Sequence, residues 1–371
     1  MMGFSRFTPL VAGLPATIPF VGPETQERQR GRPFDARIGA NESAFGPSPK
    51  VVQAMAEAGK EAWKYCDAEN YQLKTALSAH LGVPYEAIAI GEGIDGLLGL
   101  VVRMIVEPGT PVVTSLGAYP TFNYHVAGFG GRLVTVPYRE DHEDWRALAE
   151  TCRKEDAPLV YFANPDNPMG SFTDAGQVIA FVDAIPETTM VVLDEAYGET
   201  APDGTLPPAD AFLDRPNVIR TRTFSKAYGL AGMRVGYAIG EPDTIRTFDK
   251  IRNHFGVNRQ GQIAAQAALA DQSHLKNVVD AVAEARERIA EIARENGLTP
   301  LPSATNFVTI DCGQDGTFAK SVLTALVESG VFVRMPSVAP LNRCIRVSAA
   351  PKAELDVFAE RMPAALKAAR G

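Results

Sequence analysis

The chain has 371 residues, 46% of them hydrophobic and 22% charged, enough to bury the core of one large domain and a smaller second one. Its formal net charge of −8 excludes a nucleic-acid or anionic-membrane surface as the main partner, since either favours a basic face. Small-molecule partners are expected instead. Cys66, Cys152, Cys312 and Cys344 lie far apart, and the five histidines form no HExxH cluster, so no metal site is expected and the thiols read as reduced.

The first 40 residues read as an irregular arm. Pro9, Pro15 and Pro19 interrupt its apolar stretches, and no basic leader precedes a hydrophobic core, so a cytoplasmic protein is expected. Beyond the arm, helical stretches alternate with β-branched runs at 88–90, 111–115, 132–136, 159–163, 190–193, 218–223 and 235–239. This alternation predicts an α/β fold, a mostly parallel sheet covered by helices. Residues 110–131 carry no formal charge, yet Pro111, Pro120, Asn123 and several glycines argue for strand, turn and helix rather than a membrane span. From 260 to 295 the composition turns to Ala, Glu, Arg and Gln at helical spacing, and Asn296-Gly297 stops the run. Strands at 306–311, 332–334 and 344–347 around a helix at 317–329 then predict a small α+β domain. The expected division is an arm over 1–40 packing with the small domain, a large cofactor-binding domain over 41–258, and an interdomain helix with the small domain over 259–371.

Candidate site residues cluster at the ends of these strands, where open α/β sheets place ligands. Gly91-Glu92-Gly93-Ile94-Asp95-Gly96 follows a strand and opens an apolar helix, so its backbone N–H groups can meet an anion. In Thr223-Phe224-Ser225-Lys226, with Arg234 eight residues beyond the lysine, an amine stands between a hydroxyl and a guanidinium in an otherwise uncharged turn. The amine suits a Schiff base with an aldehyde, and its two flanking groups suit a phosphate.

That lysine segment resembles the motif of pyridoxal-phosphate (PLP) aminotransferases of fold type I, nearest the histidinol-phosphate aminotransferase branch. Further matches run in order from Asn41-Glu42-Ser43 to Arg346. The resemblance implies a mostly parallel seven-stranded sheet in the large domain, with pyridoxal 5′-phosphate bound to Lys226. Asp194, in Asp194-Glu195-Ala196-Tyr197, is the implied partner of the ring nitrogen. Tyr197 and Asn164, the latter in Asn164-Pro165-Asp166-Asn167-Pro168-Met169-Gly170, are implied at the phenolic oxygen. Gly93, Ile94, Asp95, Ser225 and Arg234 form the implied phosphate cup, and Tyr119 stacks on the ring. Tyr65 matches a tyrosine that reaches a neighbouring subunit's phosphate, which implies a homodimer with shared sites. Arg346, Arg334 and Asn41 are implied at the substrate. Asn41-Glu42-Ser43-Ala44-Phe45-Gly46-Pro47 lacks the first proline of the family's NENPxGP, and the arm segment 18–23 also departs from the common form.

The implied activity is amino transfer between an amino acid and an oxo acid or oxo phosphate. Histidinol phosphate with 2-oxoglutarate, or an aromatic amino acid, are the candidate substrates. A PLP lyase or decarboxylase of the same fold stays open, because sequence does not report which α-bond stands perpendicular to the ring. A PLP-binding regulatory domain is disfavoured by the retained lysine and by the lack of a DNA-binding segment before residue 35.

Overall fold

The computed structural model describes residues 6–16 and 21–371. Of the arm segment 18–23, residues 18–20 lie outside the described residues, as does Pro19. A short strand β1 (Ala36–Arg37) precedes the main sheet strands β2 (Ile88–Gly91), β3 (Pro111–Ser115), β4 (Arg132–Val136), β5 (Leu159–Ala163), β6 (Met190–Asp194), β7 (Val218–Thr223) and β8 (Gly236–Gly240). These seven lie in the order β2-β8-β7-β6-β5-β3-β4. Only β8 runs against its neighbours, pairing antiparallel with both β2 and β7, while the other pairings are parallel. The expected α/β class with a mostly parallel seven-stranded sheet is therefore present.

The strands form where apolar runs are continuous, because a sheet covered on both faces has no solvent side to alternate toward. All five residues of β5, Leu-Val-Tyr-Phe-Ala, are buried. The helices Gly93–Ile105 and Pro120–Gly128 cover one face through Leu97, Val101 and Phe122. Helices Trp145–Glu155 and Ala175–Ala184 cover the other through Leu148 and Phe181.

The alanine-rich stretch forms two helices, Arg259–Leu269 and Gln272–Glu295. Asn258 starts the first by accepting the Gly261 N–H at 2.7 Å, and Gly297, at φ 72°, follows the end of the second. Val278, Val282, Ala285, Ile289 and Ile292 recur at three- and four-residue spacing, so the long helix lays one apolar stripe on the C-terminal core. That core also holds β9 (Thr299–Pro300), β10 (Phe307–Asp311), β11 (Val331–Phe332), β12 (Cys344–Ser348) and the helices Gly316–Ser329 and Lys352–Arg370. β1 pairs in parallel with β11, which ties the end of the arm to this region.

The strand expected over 332–334 stops at Phe332. Here the chain changes partner: Phe332 still pairs with β1, whereas Arg334 forms an isolated antiparallel bridge to Arg346 of β12. The switch places two arginines side by side. Among the described residues, no helix is long and apolar enough to cross a membrane.

Candidate active site

Gly93 follows β2, Tyr119 follows β3, loop 164–170 follows β5, Asp194 ends β6 and Lys226 follows β7, so the parallel register gathers them at one edge. They line two adjoining cavities. The smaller, about 130 Å³, is walled by Ile94, Asp95, Tyr119, Asp194, Tyr197, Ser225, Lys226 and Arg234. The larger, about 850 Å³, extends past Tyr119 and Lys226 to Arg334 and Arg346.

In the wall of the smaller cavity, Arg234 Nη1 lies 3.4 Å from Ser225 Oγ, and Nη2 lies 3.4 Å from Asp95 Oδ2. The helix beginning at Gly93 has no side-chain cap, so its first-turn N–H groups face the same place without an intrahelical acceptor. Gly93 is favoured by its φ of +74°, and a Cβ there would stand 2.6 Å from Arg234 Nη2 and push that guanidinium aside. Asp95 turns its carboxylate to Tyr119, whose hydroxyl donates to Oδ1 at 2.8 Å. Hydroxyl, guanidinium and helix amides together make an anion cup.

Asp194 is buried. It accepts from Tyr161 OH at 2.7 Å and from the Ala196 N–H at 3.0 Å. Burial pushes its carboxyl up to about 6, and the Tyr161 hydrogen bond opposes that rise. Lys226 Nζ donates to the Asn41 carbonyl at 3.1 Å and sits 5.4 Å from the centre of the Tyr197 ring. The Asn41 amide donates to Tyr197 OH at 3.1 Å, and its Oδ1 accepts from Ser348 Oγ at 3.2 Å. Asn306 also donates to the Asn41 carbonyl, at 3.1 Å. Asn41 thereby links the lysine, the tyrosine and β12.

Asn164 is a correction. Its amide donates to the Thr173 and Thr205 carbonyls at 2.9 and 3.1 Å, and its Oδ1 accepts the Thr173 N–H at 2.8 Å. Both of its amide hydrogens are used there, and it lines neither cavity. Asn167, three residues on, lines both and accepts a hydrogen bond from Arg346 Nη1.

Arg346 and Arg334 open into the larger cavity with Tyr124, His125 and Asn41. Burial pulls both guanidinium groups below their ordinary value. Arg346 Nε is buried without a partner, and Arg334 Nη2 donates to the Val21 carbonyl of the arm at 3.1 Å. Tyr65 stands apart. It is 81% exposed, packs its ring 5.0 Å from that of Phe255, and lines neither cavity of its own chain. Asn167 and Tyr161 escaped the sequence reading. A hydroxyl inside the otherwise apolar run Leu-Val-Tyr-Phe-Ala was the available signal for Tyr161, since a buried phenol needs an acceptor.

A sheet with a single reversed strand, a C-terminal unit fed by one long helix and a lysine at the strand ends are the architecture of the fold-type I transferases. Residues 36–362 match the model of the family "Aminotransferase class I and II", and the chain belongs to that family. It is 37% identical over 328 residues to a histidinol-phosphate aminotransferase of an Anaeromyxobacter species, covering 88% of this chain and 89% of that one. An aromatic amino acid aminotransferase of Thermobifida fusca is 36% identical over 300 residues, covering 81% and 82%. The crystal structure of histidinol-phosphate aminotransferase from Sinorhizobium meliloti, in complex with pyridoxal-5′-phosphate, superposes with a TM-score of 0.96 at 60% identity, covering 98% of each chain.

Proposed function

We propose that this aminotransferase uses histidinol phosphate as amino donor and 2-oxoglutarate as acceptor. The observation that carries the reading is the Arg334–Arg346 bridge, which presents two fixed cations to one cavity. Both proposed substrates present an acidic group close to the reacting carbon, the α-carboxylate of 2-oxoglutarate and the phosphate of histidinol phosphate, and the pair of arginines suits either. The histidinol-phosphate aminotransferases among the relatives support the same choice.

The cofactor is pyridoxal 5′-phosphate, which when bound supplies an aldehyde for the amino group and a ring that takes up the electron pair of the broken Cα–H bond. The residues fit it. Ser225, Arg234 and the amides of Gly93, Ile94 and Asp95 would hold the phosphate, and Tyr119 would face the ring. Asp194 would hold the ring-nitrogen proton, with Tyr197 and Asn167 at the phenolic oxygen. Lys226 would hold the aldehyde and, with its amine free, would take the proton at the substrate α-carbon and return it as general base and acid. The Asn41 carbonyl orients its amine meanwhile. Arg346 orients the carboxylate of the oxo acid, and residues 41–258 form the cofactor unit against which 259–371 present both arginines.

A donor panel tests the substrate. With 2-oxoglutarate as acceptor, histidinol phosphate is expected to exceed phenylalanine and tyrosine in kcat/KM by at least about tenfold. A preference for the aromatic donors would overturn the substrate assignment and leave amino transfer standing. Arg334→Ala should lower kcat/KM for histidinol phosphate by roughly 10- to 150-fold, the loss of one charge-assisted hydrogen bond of about 1.5–3 kcal/mol. An equal loss for a phosphate-free donor would remove Arg334 from phosphate recognition.

We further propose a cytoplasmic homodimer in which Tyr65 serves the partner's phosphate. Trp63, Tyr65, Tyr71 and Phe255 are 79%, 81%, 58% and 53% exposed, an aromatic surface suited to burial by a second copy. Tyr65→Phe is expected to weaken cofactor binding by about 1.5–3 kcal/mol. Mixed dimers of Tyr65→Phe and Lys226→Ala subunits contain one site with both native residues, so mixing should restore one high-affinity site per dimer in a fluorescence titration. Failure to restore it, or an active species that sediments as a monomer, would sink the shared site.

A further inference from the structure

Beneath Arg346 lies a pair of buried carboxyls that amino transfer itself does not use. Glu143, 5% exposed, accepts from Ser115 Oγ at 2.6 Å and from the Ala163 N–H at 3.0 Å, which fixes it between the ends of β3 and β5. Asp166, 2% exposed, accepts from Tyr138 OH at 2.8 Å and from the Met169 N–H at 2.9 Å. The two carboxyls lie close enough to act on each other. Two buried like charges so placed oppose each other's ionisation, which favours a proton on one of them. Burial, reinforced by the neighbouring Asp166, pushes Glu143 well above the usual carboxylate range, while Asp166, opposed by its hydrogen bonds from Tyr138 and the Met169 N–H, is raised to about 6.

The pair sits at the root of loop 164–170. Asp166 Oδ2 and the Asp166 carbonyl hold the Met169 and Gly170 N–H groups, and the Asp166 N–H donates to the Ser171 carbonyl at 2.8 Å. The next residue, Asn167, accepts from Arg346. From the other side, Thr309 Oγ1 of β10 donates to the Pro168 carbonyl at 2.7 Å.

We propose that Glu143 is a positioning residue: as the neutral acid it donates to the Asp166 carboxylate, and the pair holds loop 164–170 so that Asn167 keeps Arg346 aimed at the substrate carboxylate. Ionisation of Glu143 as pH rises through its raised pKa places a second negative charge against Asp166, loosens the loop and weakens carboxylate binding. The sign follows from the raised acid: the clamp is intact below the pKa of Glu143 in the folded protein and is lost as pH rises through it. The other groups facing the pair are Tyr138, Tyr161, His142 and Arg346. Burial pushes both tyrosines well above their ordinary value, so they stay neutral. His142 is exposed beside Asp166, and its Nδ1 lies 2.7 Å from the Glu140 carbonyl.

The inference rests on the reading of Arg346 as the carboxylate anchor, and the test separates the two. In the cofactor-loaded enzyme, KM and kcat for 2-oxoglutarate are followed from neutral into alkaline pH. Wild type is expected to show a rising KM with little change in kcat. Glu143→Gln, a permanently neutral donor, should match wild type at neutral pH and flatten the rise. Glu143→Ala should raise KM roughly tenfold at neutral pH, since Asp166 loses its donor, with no further rise where the wild-type clamp is itself lost. A wild-type KM that stays flat, or one that climbs equally in Glu143→Gln, overturns the clamp. If Arg346→Ala leaves KM unchanged, the anchor reading fails; if it raises KM while Glu143→Ala does not, only the clamp fails. Infrared difference spectra give a readout independent of turnover. The wild-type spectrum minus that of Glu143→Gln should contain a protonated-carboxyl band beyond that of the buried Glu199, which both proteins share, and the absence of that difference overturns the protonation of Glu143 even if Glu143→Ala fails to fold.

Discussion

Lys226→Ala is expected to lower kcat by at least about 10³-fold, because it removes both the attachment point of the cofactor and the base that moves the α-proton, a role alone worth about 10² to 10⁴. The fold should survive the change. Lys226 is half-buried, its amine makes one hydrogen bond to the Asn41 carbonyl, and no ion pair depends on it. The anion cup of Ser225, Arg234 and the Gly93 helix is untouched, so the variant should still bind pyridoxal phosphate without a covalent bond. No other lysine lines either cavity. Borohydride treatment followed by peptide mapping should therefore place the pyridoxyl group on Lys226 in wild type and on no lysine in the variant. A tag on a different lysine, or kcat within tenfold of wild type, would remove Lys226 from its role. Partial recovery of turnover by added methylamine would identify the missing function as that of an amine.

The main sheet was readable because each of its strands is a short apolar run between turn residues, and the expected starts and ends fall within a residue of those observed. Lys226, Asp194 and Tyr119 were readable for a related reason. Each stands just past such a run, where a polar group has no packing explanation. Asn164 shows the limit. Two Asn-Pro pairs within five residues offer the same turn chemistry twice, and only the folded loop shows that Thr173 and Thr205 occupy the first amide while the second faces the cavity. Glu143 was hidden more completely. It lies in the run Arg139-Glu140-Asp141-His142-Glu143-Asp144, which reads as a solvated turn, and only the packing of β3 against β5 shows that this one acid is enclosed. The pairing of Arg334 with Arg346 was likewise illegible, since it depends on the chain leaving β1 for β12 after Phe332.

Asp194→Asn should lower kcat by on the order of 10³-fold while leaving the protein folded. A charge pair at about 4 Å in an effective dielectric of about 20 is worth about 4 kcal/mol, which corresponds to roughly three orders of magnitude in rate. Asparagine preserves the volume, and with its oxygen accepting from the Ala196 N–H its amide can donate to the Tyr161 oxygen, so packing does not account for the loss. The cofactor-free protein supplies a second measurement. Its Asp194 is raised to about 6 by burial, so the carboxyl is neutral below that pH and charged above it. A raised acid stabilises the fold below its unfolded pKa, and that stabilisation, about 3 kcal/mol, is lost as pH rises through about 6. The cofactor-free wild type should thus lose Tm relative to Asp194→Asn between about pH 4 and pH 6. Cofactor affinity should run the other way, strong above about pH 6, where the aspartate can answer the protonated ring, and falling below it. In Asp194→Asn both dependences should flatten. Rebinding curves for wild type and variant that fall in parallel through pH 6 would assign the titration to another group and remove Asp194 as the partner of the ring nitrogen.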